Sequence, residues 1–575
     1  MLRVWESNES DPALVEALTQ SLGVHPLIAS ILVHRNIKGI EEARRFLSPS
    51  LGDLHDPRQM KDMDLAVGRI LQAVRNKQSI CIYGDYDVDG VTSVAVLSGF
   101  LNSIGVSPAF YIPSRLDEGY GLNLQSVAEI AGRGTQLLIT VDCGITDLAQ
   151  VAQARKLGMD VIVIDHHQVP EQMPDATAIL NPFRSDCTFP YKHLAAVGVV
   201  FNLVMALRAT IRENGGFDNS EEPNLREFLD LVALGTVADI VPLLDVNRVI
   251  TRFGLAELTA ARRPGIAALK EVSGILSDQI EVGQVAFRLA PRINAVGRLG
   301  HAALAVELLT TRSYSRALIL ARELDRTNIA RQGIEHEIFE QALKMAKKLK
   351  EDGDPPALVL AADGWHVGVV GIVASKLVER FACPVILIAW NGEIGRGSAR
   401  GTDQVHLYQA LCDCAGMLDE FGGHRAAAGL TLQRARLADF RKGFLSAIQG
   451  QLGESAPTKR FFTDGLVSPW EWSIPLVESL RTLAPFGLGN PEPIFMARRL
   501  RVKSTRLVGR DPPYHLKLSF IDEQRGVIEA IGFGMGDRVN EVVERVDLLY
   551  SPDLNSWAGN VSLQLKIKDL RPCYD

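Results

Sequence analysis

The 575-residue chain has no run of about 18 or more apolar residues, which excludes a transmembrane helix. Its N-terminal stretch, MLRVWESNESDPALVEALTQ, has no apolar core of the signal-peptide kind and carries acids instead, so no secretory signal is expected. No CxxC pair occurs among the seven cysteines, at 81, 143, 187, 383, 412, 414 and 573. An odd, scattered set argues against a disulfide framework or a zinc finger and points to a reducing, cytoplasmic setting. Only Cys412 and Cys414 are close, and two thiols buried in a helix are a simpler reading than a metal site. Positive charge is also short, with a net charge of −7. That is a poor match for a nucleic-acid binder taken whole, but binding depends on local patches. One such patch exists: RRLRVKSTRLVGRDPPYHLK, residues 498–517, holds seven Lys/Arg and one acid. Internal repeats and low-complexity segments are missing as well.

What remains is an ordinary globular composition, 47% hydrophobic and 22% charged, long enough for about two to four domains. Residues 1–75 read as a helical segment packed on the first lobe, with Asp11-Pro12 as the cap and first residue of a helix. Over 76–300 short apolar runs (SICIY, PAFYI, QLLITV, DVIVI, ATAIL) alternate with helical patterns that close near a glycine. Strand, helix, strand, helix predicts an α/β domain with a doubly wound parallel sheet. More helix is expected at 195–213 and 224–238. Residues 301–352, rich in Ala, Leu, Glu, Arg and Lys, predict a long, solvated helical connector. A second, smaller α/β pattern occupies 353–455, and strand-like runs from 456 to 575 predict a small β-barrel.

In open α/β sheets, ligands bind beyond the carboxyl ends of the strands. Acids stand at those ends. SICIY is followed by GDYDVDG with Asp85, Asp87 and Asp89; QLLITV by Asp142; and DVIVI by Asp165, His166 and His167. A helical segment ending GTVADIVPL adds Asp239. Singly, each Asp reads as a turn or cap residue, and Asp89-Gly90 before VTSVAVL fits a helix cap. Together they direct like charges to one sheet edge, where they would repel. Divalent cations remove that repulsion, and mixed oxygen and imidazole donors suit manganese or magnesium. The donors exceed what one open catalytic ion needs, so two ions sharing a carboxylate are expected, an arrangement that assists hydrolysis of phosphoesters. Asp165 is expected outside the ligand set, orienting a histidine.

DYDVDG, VDCG, DHH and VAD, in that order, resemble the DHH phosphoesterase superfamily. APRINAVGRLG (290–300), GWHVGVVGIVASKL (364–377), GSARG (397–401), GGHRAAAG (422–429) and LAPFGLGNPEPIF (483–495) extend the resemblance to its bacterial single-stranded-DNA exonucleases. The resemblance implies a 5′→3′ exonuclease that releases nucleoside 5′-monophosphates with two Mn2+ or Mg2+ ions and works in DNA repair and recombination, including mismatch repair. It implies Asp87 on the first ion, Asp89, His166 and Asp239 on the second, and Asp142 bridging both, with Asp85 behind the ligands. His167 is either a ligand, an electrostatic stabiliser or the imidazole facing the scissile phosphate. Residues 353–455 become the DHH-associated domain that grips the strand. The C-terminal barrel resembles an oligonucleotide-binding (OB) fold.

Glycines 364, 368 and 371 lie between a strand and a helix start, where free N–H groups can cradle an anion. His366 belongs to the same stretch. Ser398 and Arg400 offer a hydroxyl and a bidentate fork to a phosphate, and His424 sits on another glycine-rich turn. Arg115, Arg292, Asn294 and Arg298, in loop-like stretches, are expected at the substrate on the strength of the resemblance. On the barrel, Arg499, Arg501 and Lys503 would track the DNA backbone, and Tyr514, Phe520 and Phe533 are either stacking faces or barrel core. Partners implied by the resemblance are single-stranded DNA and a single-stranded-DNA-binding protein, with no membrane and a monomeric state. The rival readings are a nanoRNA or cyclic-dinucleotide phosphodiesterase of the superfamily, against which the barrel argues, and a non-catalytic DNA-binding replication component, against which the intact ligand set argues.

Overall fold

Past an initial strand, β1 (Leu2–Ser7), the short apolar runs form β2 (Ile80–Gly84), β3 (Ala109–Tyr111), β4 (Leu137–Val141), β5 (Asp160–Ile164) and β6 (Ala178–Leu180). The computed structural model describes residues 2–115, 118–119, 121–217, 221–351, 353–453, 458–509, 514–557 and 560–573. Strands β2 to β6 lie parallel in the order β3-β2-β4-β5-β6. Every residue of β2 and β4 is buried. Helices on both faces explain the unbroken apolar runs, since neither face of these strands meets water. Cys81, Tyr83, Leu138, Val161 and Val163 pack with residues of helices Leu124–Gly132 and Leu148–Lys156. Ile82, Ile139 and Ile162 alternate with them and face the other way, and helices Val88–Ser103 and Ala196–Glu213 also lie against these strands. The register pairs Gly84 with Val141 and Val141 with Ile164. The residues that follow, Asp85, Asp142 and Asp165, therefore leave the sheet side by side.

The second lobe is a mixed sheet of β7 (Leu358–Asp363), β8 (Val385–Asn391), β9 (Ile394–Arg400), β10 (Glu420–Gly423) and β11 (Ala427–Gln433), ordered β10-β11-β9-β8-β7. Only β7 and β8 are parallel; the hairpin-linked remainder is antiparallel. Helix Val367–Phe381 packs Val369, Val370, Val373 and Leu377 on one face, and helix Leu437–Leu452 packs Phe440, Phe444 and Ile448 on the other. Helices Ala303–Thr310 and Tyr314–Glu351 connect the lobes. The expectation of a solvated connector is corrected here. Ala317, Leu320, Ala321, Leu324, Asn328, Arg331, Glu335, Ile338, Ala342 and Ala346 form one buried stripe at helical spacing along it. Its last turns join the core of the second lobe through Ile338, Ala342 and Ala346. Abundant Lys, Arg and Glu on the other faces hid that stripe.

Both lobes belong to one compact unit, Asp56–Asp239 with Gly254–Lys459; the other unit combines Val4–His55, Ile240–Phe253 and Arg460–Asp575. Of the N-terminal segment, helix Met63–Arg75 lies against helix Ala196–Glu213 and β6 of the first lobe, whereas Val4–His55 belongs to the other unit. Residues 2–7 are a strand that pairs with β12 (Thr458–Thr463). Helices Pro12–Leu22, Pro26–His34 and Ile40–Leu47 share their core with the C-terminal barrel, Leu18, Ile31 and Phe46 packing in one cluster with Phe495, Leu548 and Leu570. Asp11 does cap the first of these helices. Strands β13 (Phe495–Val508), β14 (His515–Asp522), β15 (Gly526–Gly532), β16 (Arg545–Trp557) and β17 (Asn560–Pro572) close a barrel in the order β13-β14-β15-β17-β16. Arg248 anchors this unit. Its guanidinium lies 3.7 Å from the centre of the Phe46 ring and donates to the carbonyls of Phe46, Leu483, Thr482 and Ala484.

Candidate metal centre

Asp87, not Asp89, caps helix Val88–Ser103: its Oδ1 accepts from the backbone N–H groups of Asp89 (2.9 Å) and Gly90 (3.2 Å). One helical turn is thus spent on holding that carboxylate. Asp89 sits inside the first turn, and its carboxylate accepts from Ala196 N (2.6 Å) and Val197 N (2.9 Å) at the start of another helix. The positive end of that helix favours the anion. Gly90 permits the approach of its helix to the sheet edge: a Cβ there would lie 2.4 Å from Asp85 O and 2.6 Å from Asp85 N. Backbone cannot yield at such distances, so Gly90→Ala is expected to cost about 1–3 kcal/mol of stability and to weaken Mn2+ binding. Urea unfolding and a Mn2+ titration check this; unchanged values in both would remove the contact from the account.

Asp142 follows β4 with φ of 63°, in the left-handed region, which Asp and Asn tolerate better than other side chains. Asp165 is fully buried and spends both oxygens on the protein. Oδ1 accepts from His166 N (2.7 Å) and His167 N (3.1 Å) and pairs with His167 Nδ1 (2.7 Å), while Oδ2 accepts from Ile145 N (3.0 Å). Despite burial, these partners, the His167 hydrogen bond first, hold its carboxyl below the usual range. The histidine it orients is His167, whose pKa rises to about 9 against the opposing effect of burial.

His166 differs. Burial and then its neighbour His167 push it down to about 4, which leaves a neutral imidazole. Its Nε2 lies 3.3 Å from Asp142, 3.6 Å from Asp239 and 3.9 Å from Asp89, yet has no hydrogen-bond partner among the described residues. A buried, orphaned lone pair facing three carboxylates fits a cation held between them. Asp239 ends helix Leu229–Ala238 as its C-cap, where the helix dipole disfavours a negative charge. Burial, then Asp89 and Asp87, raises its pKa to about 9. Burial and Asp87 raise Asp89 to about 7, and burial with the surrounding carboxylates raises Asp85 and Asp142 well above the usual range.

Donor atoms gather in three sets: Asp85, Asp87 and Asp142; Asp89, His166 and Asp239; and Asp142, His166 and His167. Asp142 stands in two of them, as does His166. Asp85, expected behind the ligands, stands close beside Asp87 and Asp142. It lies within the first set, and its Oδ1 has no hydrogen-bond partner among the described residues. Sequence reasoning missed Asn181, which directly follows β6 and donates from its Nδ2 to the carbonyl of His167 (2.9 Å). The strand-end rule applied to the acids would have found it.

Beside the acids lies a group of cations. Arg298 is driven down to about 10 by burial and then by Arg115, Arg331 and Arg400; Arg400 is lowered by burial and by Arg115. Mutual repulsion of buried guanidinium groups marks a place for an anion. Arg115 stacks over the Tyr86 ring at 5.0 Å. Arg298 Nη1 donates to Gly368 O at 2.8 Å, tying the cluster to the second lobe. Gly371 leaves room for Ser398 and Arg400, since a Cβ would lie 3.0 Å from Arg400 Nη2 and 3.4 Å from Ser398 Oγ.

Other expected substrate residues have local duties. Arg292 is corrected to a structural role: its Nε donates to Asp325 (2.8 Å) and its Nη1 to Arg288 O (2.6 Å). Asn294 Oδ1 accepts from Val88 N (3.2 Å), steadying the metal-side helix. His366 caps helix Val367–Phe381, its Nδ1 accepting from Gly368 N (3.1 Å). The Gly368 N–H is therefore occupied rather than free for an anion. His424 is exposed on the turn between β10 and β11.

In the barrel unit, a bulge at Ala497–Leu500 breaks the expected alternation, so Arg498 and Arg499 are both exposed. Arg499 adopts a left-handed φ of 54°. Arg501 pairs with Glu523 at 3.2 Å, and Lys503 is exposed. Phe520 is barrel core, whereas Tyr514 and Phe533 are exposed at 40% and 60%. Arg510 and Asp511 of the basic stretch lie outside the described residues.

Residues 79–236 match the N-terminal domain model of the DHH family, 354–450 the DHHA1 domain and 463–569 the RecJ OB domain. The chain is 38% identical over 561 residues to the single-stranded-DNA-specific exonuclease RecJ of Escherichia coli, covering 95% of this chain and 96% of that one. To the RecJ of Bacillus subtilis it is 37% identical over 569 residues, covering 98% of this chain and 70% of that one. The crystal structure of RecJ from Thermus thermophilus in complex with Mn2+ superposes with a TM-score of 0.84 at 29% identity, over 100% of this chain and 80% of that one.

Proposed function

The chain belongs to the RecJ family of single-stranded-DNA-specific exonucleases, and from that premise we propose that its metal centre removes nucleoside 5′-monophosphates from the 5′ end of single-stranded DNA. The observation that carries the proposal is the orphaned Nε2 of His166 among the carboxylates of Asp89, Asp142 and Asp239. Two Mn2+ or Mg2+ ions fit this donor set, as the metal-bound relatives support. Asp87 and Asp142, with Asp85 beside them, would hold one ion; Asp89, Asp142, His166 and Asp239 would hold the other. When bound, the pair supplies Lewis acidity that activates water and offsets charge on the phosphoryl group.

The chain's own residues do the remaining work. Asp165 orients the His167 ring through its Nδ1, and that imidazole faces the scissile phosphate. Arg115, Arg298, Ser398 and Arg400 receive the terminal 5′-phosphate, and His424 approaches the strand from the second lobe. Positive charge at that place selects an end rather than an internal phosphate. Arg499, Arg501 and Lys503 of the barrel bind backbone phosphates, with Tyr514 and Phe533 as stacking faces. Work in the cytoplasm in DNA repair and recombination, a monomeric state and a single-stranded-DNA-binding protein as partner belong to the same proposal. Among the described residues no helix is long and apolar enough to cross a membrane.

The test is one oligonucleotide labelled at either end, incubated with Mn2+ or with chelator. Prompt mononucleotide release from the 5′ label with Mn2+, and none in chelator, is the expected result. Release from the 3′ label alone, or release that survives chelation, overturns the proposal. The superfamily alternatives, phosphodiesterases of nanoRNA or cyclic dinucleotides, have no use for the barrel matched over 463–569.

A further inference from the structure

The unit that holds both lobes contains a cavity of about 530 Å³, lined in part by Arg298. Its walls are the helix Ala290–Leu299, the connector Tyr314–Glu351 and the helix Val367–Phe381. Its size falls within the roughly 300–1,000 Å³ of small-molecule sites. Its lining is cationic on balance. Arg298, Arg331 and Lys376 line it against one acid, Glu335. Glu335 already bonds both Arg331 and Lys376, so the positive charge exceeds what this carboxylate can offset. Arg331 is nine-tenths buried and its Nε has no hydrogen-bond partner among the described residues. Phe287, Phe339 and Ile372 add apolar surface to its lining. Phe287 is 82% exposed and stands on a single π-helical turn, Val285–Leu289. Such turns recur at functional sites, and a large aromatic held in water needs a reason.

We propose that this cavity binds a nucleoside 5′-monophosphate unit, its phosphate at Arg331 and Lys376 and its base against Phe287 and Phe339. The inference rests on the proposed reaction, whose product is that compound. Arg298 and Asn294 line the cavity, and Asn294 also accepts from Val88 N at the start of the metal-side helix, so the cavity adjoins the reaction site. The same chemistry is also offered by one nucleotide of a bound strand, and the experiment separates the two.

Binding is measured by calorimetry in chelator, so that no hydrolysis intervenes, with deoxyadenosine 5′-monophosphate, deoxyadenosine and a single-stranded oligonucleotide. Wild type is compared with Phe287→Ala and Lys376→Gln, both at exposed side chains, with urea unfolding of each variant as the check on the fold. The mononucleotide is expected to bind at least tenfold more tightly than the nucleoside, and each variant to lose at least tenfold. Loss for the mononucleotide alone identifies the ligand as free product; loss for the oligonucleotide too identifies it as a strand nucleotide. Unchanged affinity for both in both variants, or no binding by wild type, overturns the proposal. A failure of the reaction itself reads differently, as a wild-type protein that binds nucleotide yet releases none from the 5′-labelled strand with Mn2+.

Discussion

Asp142→Asn is expected to lower hydrolysis of single-stranded DNA by about a thousandfold or more, on the order of 4 kcal/mol of transition-state stabilisation, while making the metal-free protein more stable at pH 8. Asp142 is shared between donor sets, so its loss affects both ions at once. An amide keeps the shape, and Asn accepts the left-handed backbone at this position, where φ is 63°; Ala would add backbone strain to the lost ligand. In the absence of metal the carboxyl of Asp142 is held well above its usual range, by burial first and then by Asp89, Asp87, Asp85 and Asp239. A neutral amide removes that repulsion. Steady-state release of mononucleotides with Mn2+ and thermal unfolding in chelator are the two measurements. Retained activity would take Asp142 out of the metal centre; a lower melting temperature in chelator would show that its charge is not a burden on the fold.

The second large effect is a pH-dependent stability that metal reverses. Burial and neighbouring carboxylates raise Asp239 to about 9 and Asp89 to about 7, while both titrate near 3.9 in the unfolded chain. Below about pH 4 both are protonated in either state, and the stabilising contribution is fully present. As pH rises, the unfolded chain loses these protons first, so it binds fewer protons than the folded protein and stability falls until about pH 9. The melting temperature in chelator is expected to drop by at least about 5 °C between pH 5 and pH 8.5. Mn2+ should restore it at pH 8.5 and do little at pH 5, where protons compete for the same oxygens. Asp239→Asn is expected to flatten the metal-free slope. An equal effect of Mn2+ at both pH values, or an unflattened slope in the variant, would contradict the assignment of these acids to a shared cation site.

The chain order alone made much of the site legible. An apolar strand that ends in an acid is a local signal, and three such strands in a parallel pattern must share one edge, because the register of a doubly wound sheet leaves no other place for their carboxyl ends. Asp85, Asp142 and the Asp165–His167 triplet were found in that way. The same rule reaches Asn181, which was passed over because an amide carries no charge to draw attention. Arg292 shows the opposite error. Its surroundings in the sequence suit a substrate loop, but the residue that uses it, Asp325, is far along the chain on the connector helix, and only packing brings the two together.

What the sequence by itself determined is the chemistry: which donors exist, on which strand ends, and that their charges need a cation. Period and composition also set the element types, because burial on one face or two is written residue by residue. What only the tertiary structure decided is the division of labour among those donors. Asp85 and Asp165 each follow a strand of the same sheet, yet Asp165 is spent on backbone N–H groups and His167, while an oxygen of Asp85 lacks any partner among the described residues. Likewise, helices 12–47 are ordinary amphipathic segments, and their place in the core of a barrel that begins at residue 495 follows from packing between distant segments. The physical reason is the same in each case. A side chain's role depends on which hydrogen bonds and contacts are left to it after distant parts of the chain have taken theirs.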